Sequence, residues 1–230
     1  MEKDTPSRVA GRRTLGPAPK PGSRYSLFVG LAFLVIVLLA FINLVTTRNT
    51  GTLGLEKETK DLPLPEFAVP VAASNLEGDA NIAQDNCETS QLPCPADSRR
   101  TPACRVGGAD VIRVCDLFDR PLVISFWFTR GGDCESQQDV VNEAYRRYRG
   151  RVNFLSLDVR DSRDTVRNLI RERGWQMPVG YDHDGAVANE YAVVVCPTIT
   201  YVRAGGKVAG STVGPLGEQA LEGWVQRIAR

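Results

Sequence analysis

The chain has 230 residues, 28 lysines and arginines against 27 aspartates and glutamates, and a formal net charge of +1. That balance, with no basic stripe interleaved with aromatics, gives no reason to expect nucleic acid as a partner. An apolar fraction of 43% with 24% charged residues excludes a disordered chain, and the length suffices for one ordinary domain with appendages.

The first signal along the chain is a set of basic residues, Lys3, Arg8, Arg12, Arg13, Lys20 and Arg24, followed by an almost unbroken apolar run, Leu27 to Val45. About 20 apolar residues suffice to cross a bilayer as a helix, and the basic flank holds the N-terminus in the cytoplasm. The expected organisation is a cytoplasmic tail over 1–24, one transmembrane anchor over 25–47, a polar tether over 48–63 and an extracytoplasmic domain over 64–230. No small-x-small pattern follows the run in Asn43-Leu44-Val45-Thr46-Thr47, which favours an uncleaved anchor over a signal peptide. All six cysteines lie beyond the run, as an oxidising compartment outside the cell membrane permits.

Residues 71–103 read as a loop insertion containing Cys87 and Cys94, close enough in sequence for a local bridge. Short strand patterns on either side of Gly107-Gly108 then predict a hairpin with Cys104 and Cys115 at its base. A second staple across that base is one option, although simple register does not set the two cysteines opposite each other. Pairing of either with a cysteine of the preceding loop stays open. No Cys-x2-Cys pair or neighbouring histidine points to zinc, and neither a metal nor a cofactor is expected.

The apolar run 122–128 predicts a buried strand; Gly131-Gly132-Asp133 breaks it, and a polar helical pattern begins near Cys134. A sulfur in a helix's first turn sits by unsatisfied N–H groups and the positive dipole end, both of which favour thiolate. His183, the only histidine, falls in the turn Tyr181-Asp182-His183-Asp184-Gly185 and reads as a solvated loop residue. Two strands around Gly205-Gly206 predict a second hairpin, and Leu221, Trp224, Val225 and Ile228 show helical spacing near the C-terminus.

The segment Trp127-Phe128-Thr129-Arg130-Gly131-Gly132-Asp133-Cys134 resembles the Trp-Ala-x-Trp-Cys-x-x-Cys region of membrane-tethered, thioredoxin-like thiol-disulfide oxidoreductases of the TlpA-like or redoxin group. Trp127 matches the first tryptophan, Arg130 replaces the second, Gly131 replaces the first cysteine, and Cys134 matches the second. Met177-Pro178-Val179-Gly180-Tyr181-Asp182 with Asp184-Gly185, and Val195-Cys196-Pro197-Thr198, are similar to that family's later motifs, the last to its loop carrying a cis-proline. The likeness spans about 117–230, and within it Val152 to Asp158 looks like the next core strand and Asp164 to Arg173 like the following helix. It implies an α/β thioredoxin-like fold, a mixed central sheet with helices on both faces, behind one N-terminal transmembrane helix.

The resemblance also implies that the residue before the cis-proline packs against the active-site sulfur, which brings Cys134 and Cys196 together. Cys134, Cys196 and Pro197 are therefore the candidate catalytic residues, and Cys87, Cys94, Cys104 and Cys115 the candidate structural disulfides. The expected activity is thiol-disulfide exchange on extracytoplasmic protein thiols and disulfides. The rival reading is a binding or scaffold domain with a permanent Cys134–Cys196 bridge. A weaker rival is a copper-handling protein using Cys134, Cys196 and His183 as soft ligands.

Overall fold

The computed structural model describes residues 24–47, 54–55, 59–76, 81–82, 101–130, 132 and 134–230. The chain divides into two compact units, 1–50 and 51–230. In the first, α1 (Arg24–Thr47) is a helix whose described side chains, over 28–40, are all exposed. Among the described residues no helix is long and apolar enough to cross a membrane.

The second unit begins with a small antiparallel sheet, in which β1 (Phe67–Pro70) lies between β2 (Asn81–Ile82) and β3 (Val111–Arg113). The hairpin expected around Gly107-Gly108 does not form. Ala103–Arg105 and Val114–Leu117 are short 3-10 turns, and β3 pairs with β1 instead of folding back on the residues just before it. The physical reason is that β1 offers a fully buried partner, which a solvent-facing two-stranded ribbon lacks. The Cys104–Cys115 bridge forms nonetheless, linking the two turns with a Cα–Cα separation of 5.7 Å. Cys87 and Cys94 lie outside the described residues.

The main sheet is made of β4 (Leu122–Trp127), β5 (Asn153–Val159), β6 (Val179–Asp182), β7 (Thr198–Arg203) and β8 (Lys207–Val213). Its order is β6-β5-β4-β7-β8, with β4, β5 and β6 parallel and β7 and β8 antiparallel to their neighbours. All six residues of β4 are buried, as a central strand covered on both faces requires. Val123 and Trp127 face one core with residues of α2 (Cys134–Tyr148), α3 (Arg163–Arg173) and α5 (Glu218–Ile228). Leu122, Ile124 and Phe126 face the other with Phe67, Val69 and α4 (Ala186–Glu190). Each fully buried aliphatic or phenyl side chain contributes roughly 1.5–3 kcal/mol, so both cores contribute to holding the sheet.

β1 approaches the main sheet closely at Gly180 in β6. A Cβ there would come within 2.7 Å of Val69 Cγ2 and 2.8 Å of Leu157 Cδ1, so the close approach of β1 to the sheet requires glycine. Before β1, Asp61 donates its N–H to the Val208 carbonyl and Val208 donates to that of Leu62. Segment 61–62 is therefore already joined to β8.

Candidate active site

The site lies where the C-terminal end of β4 meets the start of β7. The antiparallel register sets Phe126 against Thr198, so Pro197 and Cys196 fall beside Trp127 and Phe128. Cys196 Sγ lies 3.7 Å from the Phe128 carbonyl oxygen, and the Cys196–Pro197 peptide is cis. Seven residues after β4 ends, Cys134 opens α2 at the same end of the sheet.

The two sulfurs are bonded, with Cα atoms 5.9 Å apart across a sequence separation of 62. The expectation that these residues meet is therefore fulfilled in geometry. Their surroundings differ: Cys134 is 2% exposed, whereas Cys196 is half-buried. A groove of about 510 Å³, lined among others by Gly132, Cys134, Gln137, Cys196, Pro197 and Pro215, runs along the bond. Gly131 and Asp133 lie outside the described residues.

A polar clasp fixes the position of α2. Gln138, one turn after Cys134 and on the same helix face, donates its amide to Ser125 Oγ of β4 at 2.9 Å. Its carbonyl accepts from Ser156 Oγ of β5 at 3.0 Å. All three side chains are buried, so each lost partner would leave a costly unpaired group. A turn further on, Asn142 Oδ1 accepts the backbone N–H groups of Gln176 and Met177. These contacts tie the start of α2 to the strands that carry the rest of the site.

Beneath the site lie carboxyl groups that sequence patterning did not single out. Asp158, opposite Trp127 in the β4–β5 register, is fully buried. Burial above all, reinforced by the nearby charge of Asp161, pushes its pKa up to about 9. Neither oxygen has a partner when Asp158 is taken as a carboxylate. Protonated, it has a hydrogen to donate toward Asp161, whose side chain is its acceptor. Asp161 in turn accepts the Thr129 backbone N–H at 2.6 Å and the Thr129 hydroxyl at 2.7 Å, clamping the turn that leads from β4 to the sulfurs. Asp182 is raised to about 7 by burial, an effect opposed by the N–H groups of Ala188 and Val187. The available signal was an acid inside an otherwise apolar strand, Phe154-Leu155-Ser156-Leu157-Asp158, a position that rarely holds a charged side chain without a partner.

Trp127, matched above to the family's first tryptophan, is fully buried and packs edge-on against Trp175 with ring centroids 5.2 Å apart. His183 is exposed, stacked on Tyr181, with its Nδ1 3.0 Å from the Tyr181 hydroxyl. It is not grouped with Cys134 and Cys196 as a ligand set. Among the described residues one set of three potential metal ligands converges, Glu66, Cys104 and Cys115, but its two sulfurs are bonded to each other.

No protein-family model matches the chain. Thiol-disulfide oxidoreductase ResA of Bacillus anthracis is 28% identical over 118 residues, covering 51% of this chain and 68% of the relative. ResA of Bacillus subtilis (strain 168) is 25% identical over 118 residues, covering 51% and 66%. Among solved structures, a DsbF homologue from Corynebacterium diphtheriae superposes with a TM-score of 0.54 at 16% identity, covering 76% of this chain and 91% of that one. A thioredoxin-family thiol:disulfide interchange protein from Chlorobium tepidum TLS gives 0.50 at 17%, covering 73% and 96%. The fold is thus thioredoxin-like, and the curated sequence relatives are thiol-disulfide oxidoreductases.

Proposed function

We propose that this thioredoxin-like chain is an anchored, extracytoplasmic thiol-disulfide oxidoreductase that works through the non-adjacent pair Cys134 and Cys196. The observation that carries the reading is a disulfide lining an open groove with Cys196 half-buried and Cys134 enclosed at a helix start. Exchange needs an accessible sulfur to attack and a stabilised sulfur to leave; adjacency in sequence is not required.

The asymmetry assigns the two roles. A substrate thiolate attacks Sγ of Cys196, the Cys196–Cys134 bond breaks, and its electron pair leaves on Cys134 as thiolate. The first-turn position of Cys134 favours that charge through the helix dipole and free N–H groups. A second substrate thiolate then attacks the substrate sulfur of the mixed disulfide and expels Cys196. The substrate leaves oxidised by two electrons, the pair is left reduced by two, and the two substrate protons pass to solvent or to the released thiolates. Run backwards, the same steps reduce a substrate disulfide. Pro197 borders Cys196 in the groove and serves to position it.

The test is capture. In Cys134→Ser the Cys196 thiolate attacks a substrate disulfide and expels one substrate thiolate, and with no Cys134 to attack Cys196 and release the substrate, mixed disulfides accumulate and turnover stops. Cys196→Ser removes the sulfur that is attacked, and none accumulate. Capture by neither variant, together with a reduction potential below about −300 mV, would identify a permanent staple in a binding domain.

The membrane assignment rests on the apolar run Leu27 to Val45, its basic flank, and the placement of every cysteine beyond it. Labelling of reduced Cys196 in intact cells by an impermeant thiol reagent checks it: labelling is expected, and protection until lysis would place the domain inside.

A further inference from the structure

Beside the disulfide, on the side away from α2, lies a second cavity of about 350 Å³. Its lining includes Phe128, Arg130, Arg160, Ala188, Val193 and Val194. Two of its lining residues neighbour the reacting sulfur: the Phe128 carbonyl is 3.7 Å from Cys196 Sγ, and Val194 precedes Cys196 by two residues. Val194 is 68% exposed and Val195 42%, which leaves apolar surface open at the rim where a bound polypeptide would run.

The walls combine apolar side chains with polar ones, and the charge is positive. Two guanidinium groups line the cavity against one carboxylate, Asp161, and that carboxylate is engaged by both the N–H and the hydroxyl of Thr129. Arg130 has no hydrogen bond or ion pair with any described residue. Arg160 is held in place at some cost: its backbone φ is +67°, in the left-handed region that residues with a Cβ seldom occupy. Its side chain passes over Gly185, where a Cβ would stand 2.6 Å from Arg160 Nε, and Nη2 donates to the Asp184 carbonyl at 3.4 Å. Backbone strain and a missing Cβ together place this guanidinium on the cavity wall.

Resting on the exchange reading above, we infer that this cavity takes an acidic side chain of the substrate polypeptide, close in sequence to the cysteine that attacks Cys196. The carboxylate bonds the Arg130 and Arg160 guanidiniums while its methylene groups lie against Phe128, Ala188 and Val193. Substrates are thereby sorted by the residue flanking their thiol. Charge-assisted bonds between guanidinium and carboxylate are strong enough to impose such a preference.

The test uses the oxidised full-length chain and peptides containing one cysteine flanked by Glu, Gln or Lys. Mixed-disulfide formation with the Glu peptide is expected to be about tenfold faster than with the Gln peptide, and slower still with Lys. In Arg130→Gln/Arg160→Gln the Glu-to-Gln ratio falls to near one, while the remote Arg203→Gln variant keeps it. Equal rates in the parent chain, or a ratio that survives the double variant, overturns the inference. A separate readout guards against failure of exchange itself: S-methylated versions of the peptides cannot react, and their equilibrium binding shows the same order if the subsite is real. No reaction with 2-mercaptoethanol, with the Glu-over-Gln binding order intact, would sink the exchange reading and leave the acidic subsite standing.

Discussion

The two described disulfides make an instructive contrast. Cys104–Cys115 joins two short turns 11 residues apart beside the small sheet. Cys134–Cys196 spans 62 residues, begins a helix at one end and lies along a groove. Both have Cα separations within the ordinary range. What separates them is their neighbourhood: one closes a local loop, and the other lines a groove at the start of a helix. Function in this fold therefore follows from where a bond sits more than from the bond itself.

Three changes sharpen that contrast, and the fourth sets its lower limit. The largest expected effect is removal of the long crosslink. On loop-closure entropy, Cys134→Ala/Cys196→Ala should lower unfolding stability by about 4 kcal/mol and Cys104→Ala/Cys115→Ala by about 3 kcal/mol. Denaturant titration of the two oxidised variants measures both, with exchange retained only in the second. Exchange lost equally from both would erase the distinction.

Next is pH. Asp158 keeps its proton in the folded chain up to about 9, while the unfolded chain releases it near the usual carboxylate value. The stability this confers is full below about pH 4 and is lost as pH rises toward 9, by at most about 1.4 kcal/mol per unit. Asp182, raised to about 7, has the same sign over the lower part of that range. Asp158→Asn keeps a donor for Asp161 without the titration, so its unfolding free energy should fall less between pH 5 and 8 than that of the parent chain. Parallel pH curves for the two proteins would contradict the assignment.

Third, Gly180→Ala forces a Cβ into Val69 and Leu157 and should cost about 1–3 kcal/mol, read as a lowered thermal midpoint. Smallest is Arg147→Ala, which removes an exposed pair with Glu218 and a half-buried one with Glu222 and should stay within about 1 kcal/mol in the same melt.

Much of the central fold was legible in the sequence because its signals are local. The apolar run of β4, the helical spacing in α5 and the Gly-Gly turn between β7 and β8 each announce one element. The Cys134–Cys196 pairing became legible only through resemblance, since no local pattern links residues 62 apart. The false hairpin at 103–115 shows the opposite weakness: a turn signal was present, but the partner that won β3 lies some forty residues upstream in β1. Gln138 looks ordinary within its own element, and Asp158 stands out only as an acid within a buried strand, with no local sign of its partner. Their significance arises from strands and helix converging on Ser125, Ser156 and Asp161, which periodicity alone does not reveal.

The bond from Cys134 to Cys196 also closes a covalent ring of chain, and the ring's membership matters. Arg160, Ala188, Val193 and Val194 belong to the segment it encircles, whereas Phe128 and Arg130 precede it. The pocket beside the sulfurs is thus assembled from both sides of that closure. On the exchange reading proposed above, reduction opens the ring and removes this covalent link between the walls, so the electron-rich form is expected to hold a visiting chain in the looser embrace.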